Sequence, residues 1–119
     1  INIHDMSNVY LKMIEASENL VNGEIFNAGY ENLTVNEIGD LVKKIIGEDV
    51  LIDKVATDDN RSYHISSQKI KDKINFQPLF NVEDAIKELK TSFEQKKLLD
   101  SLNNTNYFNI KKMQEIKLK

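Results

Sequence analysis

The sequence predicts an α/β domain with a short, mainly parallel sheet flanked by helices. Segments with the three-and-four spacing of an amphipathic helix alternate with short runs rich in β-branched and aromatic residues. A strand, a helix and a strand at this spacing favour a right-handed parallel crossover. The length of 119 residues, with 40% hydrophobic and 29% charged residues, is typical of one small globular domain.

The first helix is predicted from Asp5 to about Asn22. Its apolar residues recur at intervals of three and four: Met6, Val9, Tyr10, Met13, Ile14, Leu20 and Val21. Asp5 is a suitable cap, and Gly23 a suitable stop. Residues 24–28 are predicted to form the first strand, which ends at Gly29.

A second helix is predicted from Thr34 to Gly47. Thr34 and Glu37 have the spacing of a capping box, in which each side chain satisfies the other residue's backbone N–H. An apolar face follows, made of Val35, Ile38, Leu41, Val42, Ile45 and Ile46. Residues 50–55 are predicted as the second strand and residues 61–65 as a third.

The remaining elements are also defined by their ends. Ser66 or Ser67 caps a short helix that runs to Ile74, where Asn75 suits a left-handed turn. Residues 81–84 cap a long helix that buries Val82, Ile86, Leu89 and Phe93. The polar residues 103–106 are expected to end the ordered part, before a tail containing Tyr107 and Phe108.

Composition excludes several classes of function. A net charge of −3 argues against a nucleic-acid partner, which would need a basic surface. No apolar run has the length of a membrane span, so no membrane partner is expected. Without cysteine there are no disulfides or thiolate metal sites, and two histidines sixty residues apart give a metal site little support. The cytoplasm is the expected compartment.

Arg61 is the most informative candidate residue, because it is the only arginine beside fifteen lysines. A guanidinium group binds a phosphate or carboxylate through two parallel hydrogen bonds, whereas an ammonium group acts as a point charge. The alternative is a surface arginine paired with Asp58 or Asp59.

Several motifs, taken in order, resemble the C-terminal part of the extended short-chain dehydrogenase/reductase family, the NAD-dependent nucleotide-sugar epimerases and dehydratases. They are Ile1-Asn2-Ile3-His4-Asp5-Met6, Phe26-Asn27-Ala28-Gly29, the capped helix from Thr34, Asp59-Asn60-Arg61-Ser62-Tyr63, Lys69-Ile70, and Ile74-Asn75-Phe76-Gln77-Pro78. The resemblance extends to Leu99. It implies a substrate-binding domain over residues 1–99, from a longer enzyme, and a C-terminal tail over residues 100–119.

The resemblance implies a site for a nucleotide sugar. Arg61 would bind the diphosphate, and Asp59 would orient Arg61. Tyr63 is interpreted as a core residue or as a wall of the site, with the core favoured, and Asn2 is a weaker substrate-binding candidate. Asp5 has the competing role of a helix cap, and His4 is expected to be solvated or capping.

The chain departs from the family in three respects. Asn2 stands where the family usually has His, and Asn75 where Gly is common. The glycines at 23, 29, 39 and 47 do not have the spacing of a cofactor-binding turn. Tyr107 and Lys111 match the catalytic Tyr-x-x-x-Lys spacing, but they follow the last helix, and packing of Tyr107 and Phe108 is the preferred interpretation.

We therefore expect no catalytic residue and no cofactor site in this chain. NAD or NADP would bind to the missing N-terminal Rossmann domain of the same protein, and the chain alone would be inactive. Apolar surface left exposed around Ile1, Ile3 and the first helix would favour self-association. The alternatives are a freestanding, non-catalytic ligand-binding or protein-interaction module, or a helical adaptor that uses the long helix and the basic tail. Negligible strand content would favour the adaptor.

Overall fold

The computed structural model describes residues 1–56, 58 and 61–117, and within this part of the chain every regular element is helical. The predicted α/β fold with a parallel sheet is therefore wrong. The elements are α1 (Ile3–Glu15), α2 (Glu18–Val21), α3 (Val35–Ile46), α4 (Gln68–Ile74), α5 (Val82–Glu94), a 3₁₀ turn (Thr105–Tyr107) and α6 (Asn109–Glu115).

The three predicted strands lie in segments without regular structure. Residues 24–28, 50–55 and 61–65 belong to no ladder. A strand needs a neighbouring backbone to pair with, and here side chains bind some of these backbone groups instead. The Lys69 ammonium donates to the carbonyl of Ile25 at 2.9 Å, and the Asn32 amide bonds both main-chain groups of Ile65.

Helix ends that depend on local chemistry agree with the sequence. The Thr34–Glu37 capping box is present and α3 ends at Gly47. The Asn81 side chain accepts from the N–H of Asp84 at 2.8 Å, and the Asp84 carboxylate accepts from the N–H of Asn81 at 3.0 Å. Asn75 adopts the expected left-handed conformation after α4, with φ of 50°.

The first helix is shorter than predicted and has a different cap. The Asn2 side chain accepts from the N–H of His4 at 2.9 Å, so Asn2 rather than Asp5 is the N-cap of α1. At Ala16 the backbone is extended, which ends α1, and α2 starts two residues later as a separate single turn.

Asp5 is buried and connects α1 to the segment before α5. Its two carboxylate oxygens accept the N–H groups of Leu79 and Phe80, each at 2.9 Å. Neither contact is visible in local sequence, because the partners are more than seventy residues away. The carboxylate thus fixes the chain where it leads into α5.

The chain divides into two compact units, Ile1–Lys87 and Glu88–Lys119. In the first unit, Val9, Ile70 and Phe76 form a small buried cluster. Four partly buried side chains pack against it: Met13, Phe26, Ala28 and Ile74. The core therefore lies where α1, α4 and the turn after α4 meet.

Much of the predicted core is exposed. Val35 of α3 is 86% exposed, and Leu89 and Phe93 of α5 are each more than half exposed. Ile86 is the residue of α5 that is buried. The amphipathic pattern therefore predicts that these helices form, but it does not tell which parts of their apolar faces are covered.

The second unit contains order that the sequence did not predict. Asn104 caps the 3₁₀ turn by accepting from the N–H of Asn106 at 3.0 Å. The Thr105 hydroxyl donates to Glu115 of α6 at 2.7 Å, and Lys112 pairs with the same carboxylate at 3.2 Å. The prediction that residues 103–106 end the ordered part is wrong. The proposed domain boundary after Leu99 stays a prediction.

None of the helices described has the length and apolar character that a membrane crossing requires.

Candidate functional site

Arg61 and Tyr63 lie in one open groove of about 480 Å³ in the first unit. One wall is the chain that leads into α3 and its first residue, and the other is the extended segment that starts at Arg61. The lining residues are Asn32, Leu33, Thr34 and Val35 on the first wall, and Arg61, Ser62, Tyr63 and His64 on the second.

The second wall belongs to a segment that we call the strap, residues 61–67. Asn32 holds it at Ile65, where the side-chain oxygen accepts the N–H and the side-chain nitrogen donates to the carbonyl, both at 3.0 Å. The Ser67 hydroxyl accepts from the N–H of Gly29 at 2.7 Å. The two walls are therefore joined by hydrogen bonds at the end of the strap that leads into α4.

Gly29 allows the strap to approach closely. A Cβ atom at this position would lie 2.6 Å from the Cδ1 atom of Ile65 and 3.1 Å from its Cγ1 atom. Gly29 itself is buried. A larger residue there would displace the Ile65 side chain.

Positive charge in the groove comes from the strap rather than from the start of α3. The Glu37 carboxylate accepts the backbone N–H of Thr34 at 2.7 Å and its hydroxyl at 2.8 Å. These two hydrogen bonds hold the pKa of Glu37 below its ordinary value, and the bond from the backbone has the larger effect. A carboxylate at the start of α3 offsets the positive end of the helix dipole, so Arg61 is the permanent cation among the groove residues.

The groove can bind an anion that carries a ring. Arg61 is exposed and offers bidentate donors, while the side chains of Tyr63 and Val35 are 76% and 86% exposed and offer apolar contact area. The interpretation of Tyr63 as a core residue is wrong, because three quarters of its surface is open. The sequence predicts both Arg61 and Tyr63 as substrate-binding residues, and they line the same groove.

Of the other two predicted site residues, the structure describes only Asn2, which does not line this groove. Asp59 lies outside the residues that the structure describes. Asn2 is buried as the cap of α1 and lines a different, smaller cavity of about 100 Å³. Tyr30, Glu31 and Phe80 are among the other residues around that cavity.

His4 and Lys111 have partners that account for their positions. The His4 ring packs against Phe80 with ring centroids 5.6 Å apart. The Lys111 ammonium lies 4.2 Å from the centre of the Phe108 ring, a cation–π contact. Among the residues described, no three His, Asp or Glu side chains converge as a metal site would require.

In the described part of the chain, the start of α3 does not have the features of an NAD(P) site. A dinucleotide site needs a glycine-rich turn between a strand and a helix, with free backbone N–H groups at the helix start. Gly29 precedes α3 by six residues, and the first turn of α3 is closed by its own capping box.

Sequence reasoning missed Asn32 and left open whether Ser66 or Ser67 caps α4, where the Ser66 hydroxyl accepts from the N–H of Gln68 at 3.3 Å. Asn32 is one asparagine among many in this chain, and no local pattern marks a side chain that bonds a residue 33 positions away. Ser67 stands at the N-cap of α4 without making a side-chain cap, since its hydroxyl accepts from Gly29 instead.

Comparison with known proteins finds no match to this chain among family models, curated proteins or solved structures.

Proposed function

We propose that the chain is the nucleotide-sugar-binding portion of an NAD(P)-dependent epimerase or dehydratase, with Arg61 binding the diphosphate. The observation that carries the proposal is the groove in which the chain's only arginine stands beside exposed Tyr63 and Val35. A diphosphate needs concentrated, bidentate positive charge, and the attached rings need apolar surface. Both requirements are met by neighbouring residues of one groove.

The cofactor belongs to a second domain in this proposal. A Rossmann domain that precedes this chain in the same protein would supply NAD or NADP and the proton-transfer residues, so this chain alone would bind without catalysing. The exposed Val35 and Tyr63 support it, because a domain that closes over the ligand would cover them. A cytoplasmic location belongs to the same proposal, since the chain has no cysteine for the disulfides that stabilise many small secreted domains.

Titration with nucleotide sugars tests the proposal. We would follow backbone amide signals by NMR while adding UDP-, GDP-, CDP- and dTDP-linked hexoses to the chain and to Arg61→Lys. At least one class should bind in the millimolar range or tighter, with shifts at the groove residues. Arg61→Lys should weaken that binding by about tenfold, because lysine loses the bidentate geometry.

Lys71→Met is the matched control, since Lys71 is an exposed cation of α4 that does not line the groove. It removes one positive charge and should leave the affinity nearly unchanged. Equal weakening by Arg61→Lys and Lys71→Met would mean that net charge alone attracts the ligand. Absence of groove shifts with every nucleotide sugar would refute the proposal.

A helical adaptor is the second candidate, and the absence of strands from the described residues favours it. Leu89 and Phe93 of α5, with Leu102 and Ile110 beyond it, are exposed apolar residues that a partner could cover. In that case substitution at Leu89 and Phe93 would abolish partner binding, while Arg61→Lys would have no effect on it.

A further inference from the structure

Asn32 is the residue through which the first wall of the groove holds the second. Its side-chain oxygen accepts the N–H of Ile65 and its side-chain nitrogen donates to the carbonyl of Ile65, both at 3.0 Å. A neighbouring strand would supply one donor and one acceptor in the same way. The asparagine side chain therefore replaces a strand partner for the strap.

We propose that Asn32 is a positioning residue for the anion site, acting on a bound diphosphate through Arg61. The nature of the ligand rests on the proposed function above. The fastening itself rests on the two hydrogen bonds. Asn32 and Arg61 stand on opposite walls of the same groove, and the strap that carries Arg61 has no regular secondary structure.

Fixing the position of the strap matters because a flexible arginine loses conformational freedom when it binds a ligand. An extended segment that is held at Ile65 places Arg61 within a narrower range than a free one would. Less conformational entropy is then lost when the ligand binds. Asn32 is thus expected to raise affinity through the position of Arg61.

Other side chains at position 32 would not make the same pair. Aspartate has no donor for the carbonyl of Ile65 and adds a negative charge to an anion site. Leucine has a similar shape but no polar atoms, so both main-chain groups would lose a partner. Only one backbone pair is affected, and it is exposed, so the fold should survive either change.

The test measures binding of inorganic pyrophosphate by NMR, because this probe carries the phosphate chemistry without a base or sugar. Four variants of the whole chain are compared: Asn32→Ala, Arg61→Ala, the double variant, and the control Asn36→Ala. Asn36 is an exposed residue of α3 outside the groove lining. Asn32→Ala should weaken pyrophosphate binding by about three- to tenfold, and Asn36→Ala should not.

The double variant shows whether Asn32 acts through Arg61. If it does, Asn32→Ala should have little further effect once Arg61 is alanine, since the two residues are coupled. Equal weakening by Asn32→Ala in both backgrounds would overturn the proposal. The proposal would also be overturned if Arg61→Ala abolished pyrophosphate binding while Asn32→Ala left the affinity unchanged. The proposed function would stand in that case.

A second measurement separates this inference from the proposed function. Exchange of the Ile65 amide hydrogen with solvent is measured without ligand in the same variants. Faster exchange in Asn32→Ala than in Asn36→Ala would support the fastening even if Arg61→Ala leaves pyrophosphate binding unchanged, a result that would refute the proposed function alone. Unchanged exchange at Ile65 would overturn the positioning role.

Discussion

At the scale of single residues, the buried carboxylate of Asp5 contributes most clearly to stability. It is fully buried, and its oxygens accept from two consecutive backbone N–H groups, those of Leu79 and Phe80. Hydrogen bonds to a charged acceptor are worth more than neutral ones, and a buried donor without a partner is costly. One side chain therefore holds together two parts of the chain that are far apart in sequence.

Replacing Asp5 by alanine should lower the free energy of unfolding by roughly 2–4 kcal/mol, because both N–H groups lose their acceptor. Asp5→Asn keeps one acceptor oxygen and should lower it by about half as much. Urea unfolding followed by circular dichroism measures both values. Glu15→Ala, an exposed change on the same helix, should have little effect. Similar losses for Asp5→Ala and Glu15→Ala would contradict this role for Asp5.

Asp5 also shows why residue roles are hard to predict from sequence. An aspartate at the start of a helical pattern is a good cap by local criteria, but here Asn2 takes that role. The signal for the true role is a pair of backbone groups more than seventy residues away, and nothing near Asp5 in sequence indicates them. Arg61 was easier to single out as a candidate, because the sequence alone shows that it is the only arginine.

At the scale of elements, charged side chains hold α4 against residues 24–26. The Glu24 carboxylate pairs with Lys69 at 2.6 Å and with Lys73 at 3.3 Å. Lys69 also lies over the ring of Phe26, at 5.1 Å from its centre. Hydrogen bonds from the two lysines hold the pKa of Glu24 below its ordinary value of 4.5, and the bond from Lys69 has the larger effect.

The lowered pKa fixes the sign of the pH dependence. Because the folded chain holds Glu24 ionised more firmly than the unfolded chain does, the fastening is complete above pH 4.5. It is lost as the pH falls through the lower, folded pKa. In Lys69→Met, an NMR titration should show the pKa of Glu24 raised toward 4.5, whereas Lys71→Met should leave it where it is. An unchanged pKa in Lys69→Met would contradict the pairing.

Elements were predictable where their determinants are local. The capping box at Thr34, the left-handed Asn75 and the cap at Asn81 all involve residues within four positions of each other. The strand predictions were wrong because apolar, β-branched residues indicate an extended chain but do not supply a neighbouring strand to pair with. Leu51 and Val55 show this directly, since they are 92% and 81% exposed in a segment predicted to be a strand.

At the scale of the whole molecule, the chain exposes more surface than folded bodies of its size. Its accessible surface is 9974 Å². Two separate folded bodies with the masses of the two units would together expose about 7,800 Å². The difference, about 2,000 Å², exceeds the roughly 800 Å² that one partner contributes to a standard protein interface. The chain therefore buries less of its surface than compact bodies of these masses do.

Part of this surface is an apolar stripe on α1 made of Ile3, Tyr10 and Ile14, which are 71%, 65% and 81% exposed. We expect the isolated chain to self-associate through it, as the sequence suggested. Sedimentation velocity should show a sedimentation coefficient that rises with concentration. Ile14→Glu should remove that rise, while Leu51→Glu, an equally drastic change elsewhere, should not. A concentration-independent monomer would contradict the expectation.

Because side chains hold the strap, the stretch of chain before it can vary in length. In a β-ladder, one inserted residue shifts every later pair and turns each side chain to the opposite face. Here Asn32, Gly29 and Ser67 fix the strap at particular atoms, and residues 51–56 before it are all exposed. Since the entropy of closing a loop grows slowly with its length, that stretch can lengthen or shorten while the groove keeps its walls.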